Sequence, residues 1–258
     1  MCRIIKKYEQ DTRQIPEQQP DASKPWKMEQ IKPGTYIVEK IQNRLDEVLA
    51  LRDRITQKED GSYVSEGDLL VQDIVLKCVS EVLPDHELIS EEQAPWEGRQ
   101  WDPSGSYIVL DPIDGTENFI SGLKEWGVGI SIFTGGKHTE SCIYLPELNE
   151  VQISGQPMKK YKSRIRGLSS SLNKDDLLQI TEGFEYRIIG CSMYNMLLAV
   201  RGSFQSFENV KGVHCWDVLP GLNLGLEHGC KARVNGEAYS GEMLFPTKRY
   251  KIHISNGA

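Results

Sequence analysis

The run Tyr107-Ile108-Val109-Leu110-Asp111-Pro112-Ile113-Asp114-Gly115-Thr116-Glu117-Asn118-Phe119 constrains this chain more than any other stretch. It reads as a β-branched strand that delivers two acids, Asp111 and Asp114, into a sharp Pro/Gly turn, with Thr116 standing where a helix can begin. Carboxylates crowded together raise each other's pKa unless a cation sits between them. Hard oxygen ligands at this density suit Mg²⁺, Mn²⁺ or Ca²⁺ better than a soft metal. The same residues also make an ordinary Asp-Pro, Asp-Gly turn whose side chains cap local backbone. Acids elsewhere in the chain must decide between the two.

Upstream, Glu87-Leu88-Ile89-Ser90-Glu91-Glu92 is a second short strand-like segment that ends in carboxylates, following the helix-breaking Pro84-Asp85-His86. Glu92, next to Glu91, would point to the other side of a strand and serve as a salt-bridge partner. Downstream, His214-Cys215-Trp216-Asp217 precedes a segment that can form a buried helix, with Asp217 near its N-cap. An acid there would accept backbone N–H bonds and could turn one oxygen toward a metal.

Together these residues resemble the inositol monophosphatase family of magnesium-dependent, lithium-sensitive phosphatases. The family signature is Asp-Pro-Ile/Leu-Asp-Gly-Thr-x-Asn-Phe, with a Glu-Glu pair upstream and Trp-Asp near the C-terminal end; all three occur here in order. Asp60-Gly61-Ser62-Tyr63-Val64-Ser65-Glu66-Gly67-Asp68 is similar to the family's Asp-Gly-Ser-Pro-Val-Thr-x-x-Asp, with Tyr63 in place of Pro and Ser65 in place of Thr. The resemblance runs roughly from Pro33 to the C-terminus. It implies a mixed α/β chain with the sugar-phosphatase fold, an αβαβα layered sandwich. A flexible extension would occupy residues 1–32, a metal-binding half 33–150, and a smaller half completing the site 151–258.

The resemblance also implies a site. Glu91, Asp111 and the backbone carbonyl of Ile113 would bind one Mg²⁺, and Asp111, Asp114 and Asp217 a second, with two or three ions in all. Asp68 and Thr116 would activate the attacking water, and Glu91 counts with them as catalytic. Asp73, five residues on, reads as a solvated helix residue. Substrate would meet Ile113, Gly115, Thr116, Cys191, Ser192, Glu208 and Asp217. Here the sequence departs from the family: Gly190-Cys191-Ser192-Met193 stands where inositol phosphatases carry Gly-Ser/Thr-Ala-Ala, and the sugar-binding Glu before Trp-Asp falls on Glu208 only with a one- or two-residue shift, otherwise on Asn209 or Val210. The segment from Glu150 to Gly190 is also shorter than is typical. The implied activity is hydrolysis of an inositol or sugar phosphate. The alternatives are a 3'(2'),5'-bisphosphate nucleotidase of the same superfamily and an inactive binding protein that keeps the fold.

A formal net charge of −7 over 258 residues implies no basic surface, which argues against a nucleic-acid polymer as partner. It leaves room for an anionic small molecule, because a bound divalent metal reverses the local sign. No apolar run approaches the length of a membrane span, and Met1-Cys2-Arg3-Ile4-Ile5-Lys6-Lys7 lacks the hydrophobic core of a signal peptide. The expected location is cytoplasmic, without membrane contact and with room for a homodimer. Six cysteines without ligand-like spacing read as buried free thiols. Apolar periodicity predicts helices over 35–56, 68–83, 174–181, 193–200 and 217–226. Alternation predicts strands over 127–134, 141–145, 151–154, 166–169 and 186–189.

Overall fold

The computed structural model describes residues 31–256 except 94, 97, 179 and 181–184. The chain divides into Met1–Ile31 and Lys32–Ala258, and the second unit carries the fold described below. The extension expected over 1–32 lies, as far as residue 30, outside the described residues.

The first layer is helical: α1 (Pro33–Gln42), α2 (Leu45–Ala50) and α3 (Glu66–Val82), with a small hairpin of β1 (Ile55–Gln57) and β2 (Tyr63–Ser65) before α3. The single helix expected over 35–56 is broken. At Arg44 the N–H bonds to Ile41 three residues back and tightens the turn, and the β-branched Ile55-Thr56 pairs with Ser65 and Val64 instead of continuing the helix. Apolar spacing cannot see a partner strand. Helix α3 starts two residues before the expected Asp68 because Ser65 caps it: the Ser65 hydroxyl accepts from the N–H groups of Gly67 and Asp68, and Asp68 reaches back to the Ser65 N–H.

The second layer is a sheet of β3 (Glu87–Ser90), β4 (Tyr107–Asp114), β5 (Gly127–Thr134), β6 (Lys137–Leu145) and β7 (Glu150–Ile153), in that order, with the short helix α4 (Thr116–Ile120) after β4. β3 and β4 are parallel; the others run antiparallel. All eight residues of β4 are buried, as a strand covered on both faces requires. Ile108, Leu110, Val128 and Ile130 pack toward Ile37, Ile41, Val71 and Val75 of α1 and α3. From the same sheet, Val109 and Phe133 pack with Met196 and Leu222, and Ile143 and Leu145 with Met193, Leu197 and Leu224. Those last residues belong to α6 (Ser192–Arg201) and α7 (Leu219–Glu227).

These two helices form the middle layer, and a six-stranded sheet closes on them through Phe207, Ala232, Ile252 and Ile254. In chain order it comprises β8 (Ile165–Leu168), β9 (Glu185–Ile188), β10 (Ser206–Val213), β11 (Lys231–Val234), β12 (Glu237–Ala238) and β13 (Tyr250–Ser255), arranged β12-β11-β13-β10-β8-β9. The one-turn helix α5 (Lys174–Leu178) reaches it through the Asp176–Lys211 ion pair. The molecule is therefore a mixed α/β sandwich of αβαβα type. Cys78, Cys142, Cys191, Cys215 and Cys230 are buried free thiols, and no described helix is long and apolar enough to cross a membrane.

Candidate active site

A bulge in β4 builds the centre of the site. Asp111 lies opposite Gly129 and Asp114 opposite Gly127, so three steps along β4 match two along β5. In a regular strand residues three apart face opposite sides. Pro112, with no N–H to give the ladder, sits in the bulge, and the extra residue lets both aspartates point to one side. Gly115 then takes φ +81, a left-handed conformation that turns the chain into α4; a Cβ there would lie 3.0 Å from the Cβ of Cys191.

Asp217 arrives from the other side, just before α7. It stands next to the N-cap residue Val218, near the helix start as expected, but the N–H it accepts from is not one of the helix's own: no side chain caps α7, and Pro220 in its first turn has no N–H to offer. Instead one Asp217 oxygen accepts from the His214 N–H at 2.7 Å. Single carboxylate oxygens of Asp111, Asp114 and Asp217 come within 4.8 Å of one another.

The three acids differ in how they are satisfied. Asp114 Oδ2 accepts from the Cys191 thiol at 3.0 Å and from the Met193 N–H at the start of α6. Asp111 is fully buried, and neither of its oxygens has a hydrogen-bond partner among the described residues. A buried, unpaired carboxylate is expensive, so a cation is the missing partner that this geometry fits. Burial, followed by the charges of Glu91, Asp114 and Asp217, pushes Asp111 well above the ordinary carboxylate range. Burial and then Glu91 do the same to Asp217. Burial raises Asp114 to about 6 despite the opposing hydrogen bonds from Cys191 and Met193.

These directions give a testable sign. Without metal, each of these groups holds its proton more tightly folded than unfolded, so folding stability is fully present below the unfolded carboxylate pKa and is lost as pH rises, through about 6 for Asp114 and above the ordinary carboxylate range for Asp111 and Asp217. Thermal melts of metal-free protein should therefore show higher melting temperatures at pH 5 than at pH 8, with the difference shrinking when Mg²⁺ is added. A melting temperature that rises across this interval without metal contradicts the clustered acids.

Glu91 and Glu92 stand in a 3₁₀ turn, Glu91–Gln93, rather than in a continuing strand. They therefore do not point to opposite sides: Lys58 Nζ bonds both, at 3.0 and 2.8 Å. Burial alone would lower the Lys58 pKa, but the Glu91 charge and the Glu92 hydrogen bond prevail and hold it above the usual lysine range. Burial and the Glu91 charge raise Glu92 to about 7. Sequence reasoning missed Lys58. Its signal was a basic residue opening the tight turn to Ser62, where Lys58 O accepts from Gly61 and Ser62 O accepts from Lys58.

Asp68 is buried in the first turn of α3, its Oδ2 held by the Ser65 N–H and hydroxyl at 2.9 and 2.6 Å. Its other oxygen faces Thr116, whose hydroxyl lies 3.3 Å away and 3.0 Å from the Ile113 carbonyl. Burial raises Asp68 to about 6. Asp73 is exposed on the same helix and pairs with Lys77 at 2.7 Å.

The substrate wall is only partly assembled as expected. Cys191 and Ser192 open α6 beside Asp114, with the thiol committed to that carboxylate. Glu208 is not part of this constellation: β10 turns it into a cavity whose lining includes none of the acid cluster. Its neighbour Asn209 is buried and occupied by Ser169, Lys211 and Gly212. The residues found near Asp217 instead are His214, stacked on Trp216 at 4.6 Å, and Arg249, whose charge acts on both Asp217 and His214 and whose guanidinium reaches the Gly212 carbonyl at 3.4 Å.

Residues 29–182 match the inositol monophosphatase family. The chain belongs to that family. Among its relatives, the 3'(2'),5'-bisphosphate nucleotidase CysQ of Salmonella typhimurium is 35% identical over 192 residues, covering 67% of this chain and 76% of CysQ. The Nus factor SuhB of Vibrio cholerae is 30% identical over 225 residues, 77% of this chain and 79% of SuhB. Among solved structures, the inositol monophosphatase of Thermotoga maritima superposes with a TM-score of 0.68 at 18% identity, over 86% of this chain and 91% of that one, and shares the fold. The family includes phosphatases and proteins that carry the Nus factor name.

Proposed function

We propose that the chain is a Mg²⁺-dependent phosphatase that hydrolyses a small phosphate monoester, an inositol or sugar phosphate, by direct attack of water. The observation that carries this reading is the convergence of Asp111, Asp114 and Asp217, with both Asp111 oxygens buried and unpartnered among the described residues. These three acids, with Glu91 and the Ile113 carbonyl, would hold the two or three ions. Bound there, Mg²⁺ neutralises phosphoryl oxygens, favours ionisation of water and eases departure of the alkoxide.

The chain's own groups supply the rest. The Thr116 hydroxyl, donating to Asp68, is left with a lone pair for the attacking water; Asp68 is the acceptor at the end of that relay. Its raised pKa suits a group that must take a proton near neutrality. The N–H groups of Gly115 and Thr116, with no side chain capping the start of α4, would be free to bond phosphate oxygens. No covalent phosphoenzyme is needed. A panel of phosphate monoesters assayed with Mg²⁺ and after its removal tests the reading. Metal-dependent release of phosphate is expected; no turnover of any substrate would favour an inactive binding protein, a role that the SuhB name keeps in view.

A specific observation favours a second reading, a bisphosphate nucleotidase. Arg249 brings an exposed cation to the edge of the cluster near Asp217, where a second anionic group on the substrate would meet it, and CysQ carries that activity in its name. If this reading is right, Arg249→Ala should raise KM for a 3',5'-bisphosphate about tenfold more than for a sugar monophosphate, the loss of one charge-assisted contact. An equal effect on both substrates removes the support for it.

A further inference from the structure

The cavity that receives Glu208 lies on the face of the second sheet away from α6 and α7 and encloses about 430 Å³. Registration places its residues in rows: Glu208 opposite His253, and Ser206 opposite Arg166, two positions along β10 and so on the same face. Lys251 precedes His253 by two positions on β13 and shares that face. Among the described residues, the side chains of Arg166, Glu208 and His253 make no hydrogen bond or ion pair, and Lys251 makes none through its ammonium group. Asp176, the other acid lining the cavity, bonds Lys211 at 2.6 Å and also feels the charge of Lys251, which makes no hydrogen bond to it. The unpaired groups are thus two permanent cations against one carboxylate, in a chain whose net charge is −7. Leu172, Ile180 and Val210 line the same cavity, so a few charged groups are set among apolar ones, the usual make-up of a small-molecule site.

We infer that this cavity is a second ligand site, separate from the acid cluster, and that it takes a small organic dianion. Its volume lies within the range of small-molecule sites. Arg166 offers a planar fork suited to a phosphate or carboxylate, Lys251 a mobile point charge, and Ser206 and Glu208 acceptors and donors for the ligand's hydroxyl groups. The inference does not depend on the phosphatase reading.

Metal-free protein, prepared by dialysis against a chelating resin, separates the two sites, because the bare acid cluster repels anions. Calorimetric titration with inorganic phosphate and, separately, with malate should show saturable binding of at least one, the stronger probe naming phosphate or carboxylate as the preferred group. Lys251→Ala and Arg166→Ala should each weaken it at least about tenfold, a change expected on losing one charge-assisted contact. Asp114→Asn should leave it intact. Lys251 is exposed, so its variant keeps the test valid even if Arg166→Ala folds poorly. No saturable binding of either probe, or binding that persists in Lys251→Ala, overturns the proposal.

Discussion

Asp111→Asn is expected to lower turnover by at least about 10²-fold, the scale on which removing a single electrostatic stabiliser of a developing charge acts, while making the metal-free protein more stable. Both parts follow from the same fact: this carboxylate is fully buried, has no hydrogen-bond donor among the described residues, and lies within 4.8 Å of two other acids. An amide of the same shape removes one charge from the cluster and relieves Asp114 and Asp217 of its repulsion. The gain is the relief of that repulsion, and in a protein of this size each kilocalorie so recovered raises the melting temperature by about 2–4 °C. Melts without metal, titration with Mg²⁺ and steady-state kinetics on the same preparation check the combination. A variant that keeps full activity, or whose metal-free form melts lower, sinks the assignment of Asp111 to a shared cation.

What the sequence made legible is local. The path from strand to acid to helix at Tyr107–Ile120 was readable because Pro112, Gly115 and Thr116 are neighbours in the chain and each restricts backbone in a known way. The β5–β6 hairpin was readable for the same reason, with Gly135 and Gly136 both at positive φ in its turn. The layered fold was legible only through the family resemblance. What stayed hidden depends on partners far away. β10, β11, β12 and β13 were not predicted at all, and β10 pairs with β8 and β13, each some forty residues distant. Lys58 meets Glu91 and Glu92 only because the fold brings the β1–β2 turn to the 3₁₀ turn after β3, more than thirty residues on. The direction of Glu208 followed from the register of β10 in its sheet, and a strand slipped by one residue would have turned it to the opposite face.

The Asp68 and Asp73 pair separates chemistry from helix surface within one turn and a half of α3. Asp68→Asn should reduce kcat by about 10²–10⁴-fold, the usual worth of a positioned general base, with little change in Mg²⁺ affinity, since the acids placed around the cation are Asp111, Asp114 and Asp217. Some stability goes with it: Asp68 Oδ2 closes the capping box of α3 by accepting from Ser65, and a lost cap costs about 1 kcal/mol. An asparagine keeps one oxygen for that bond, so the fall in kcat will exceed what loss of folded protein can explain. Asp73→Asn removes only an exposed pair with Lys77 and should leave kcat within about twofold and stability within about 0.5 kcal/mol. Thr116→Val, which deletes the hydroxyl 3.3 Å from Asp68, completes a double-mutant cycle. If the two residues work as one relay, the double variant should be hardly slower than either single variant. Losses that multiply would mean that Thr116 and Asp68 act separately, and a silent Asp68→Asn beside a damaged Asp73→Asn would move the catalytic acid to the other turn of the helix.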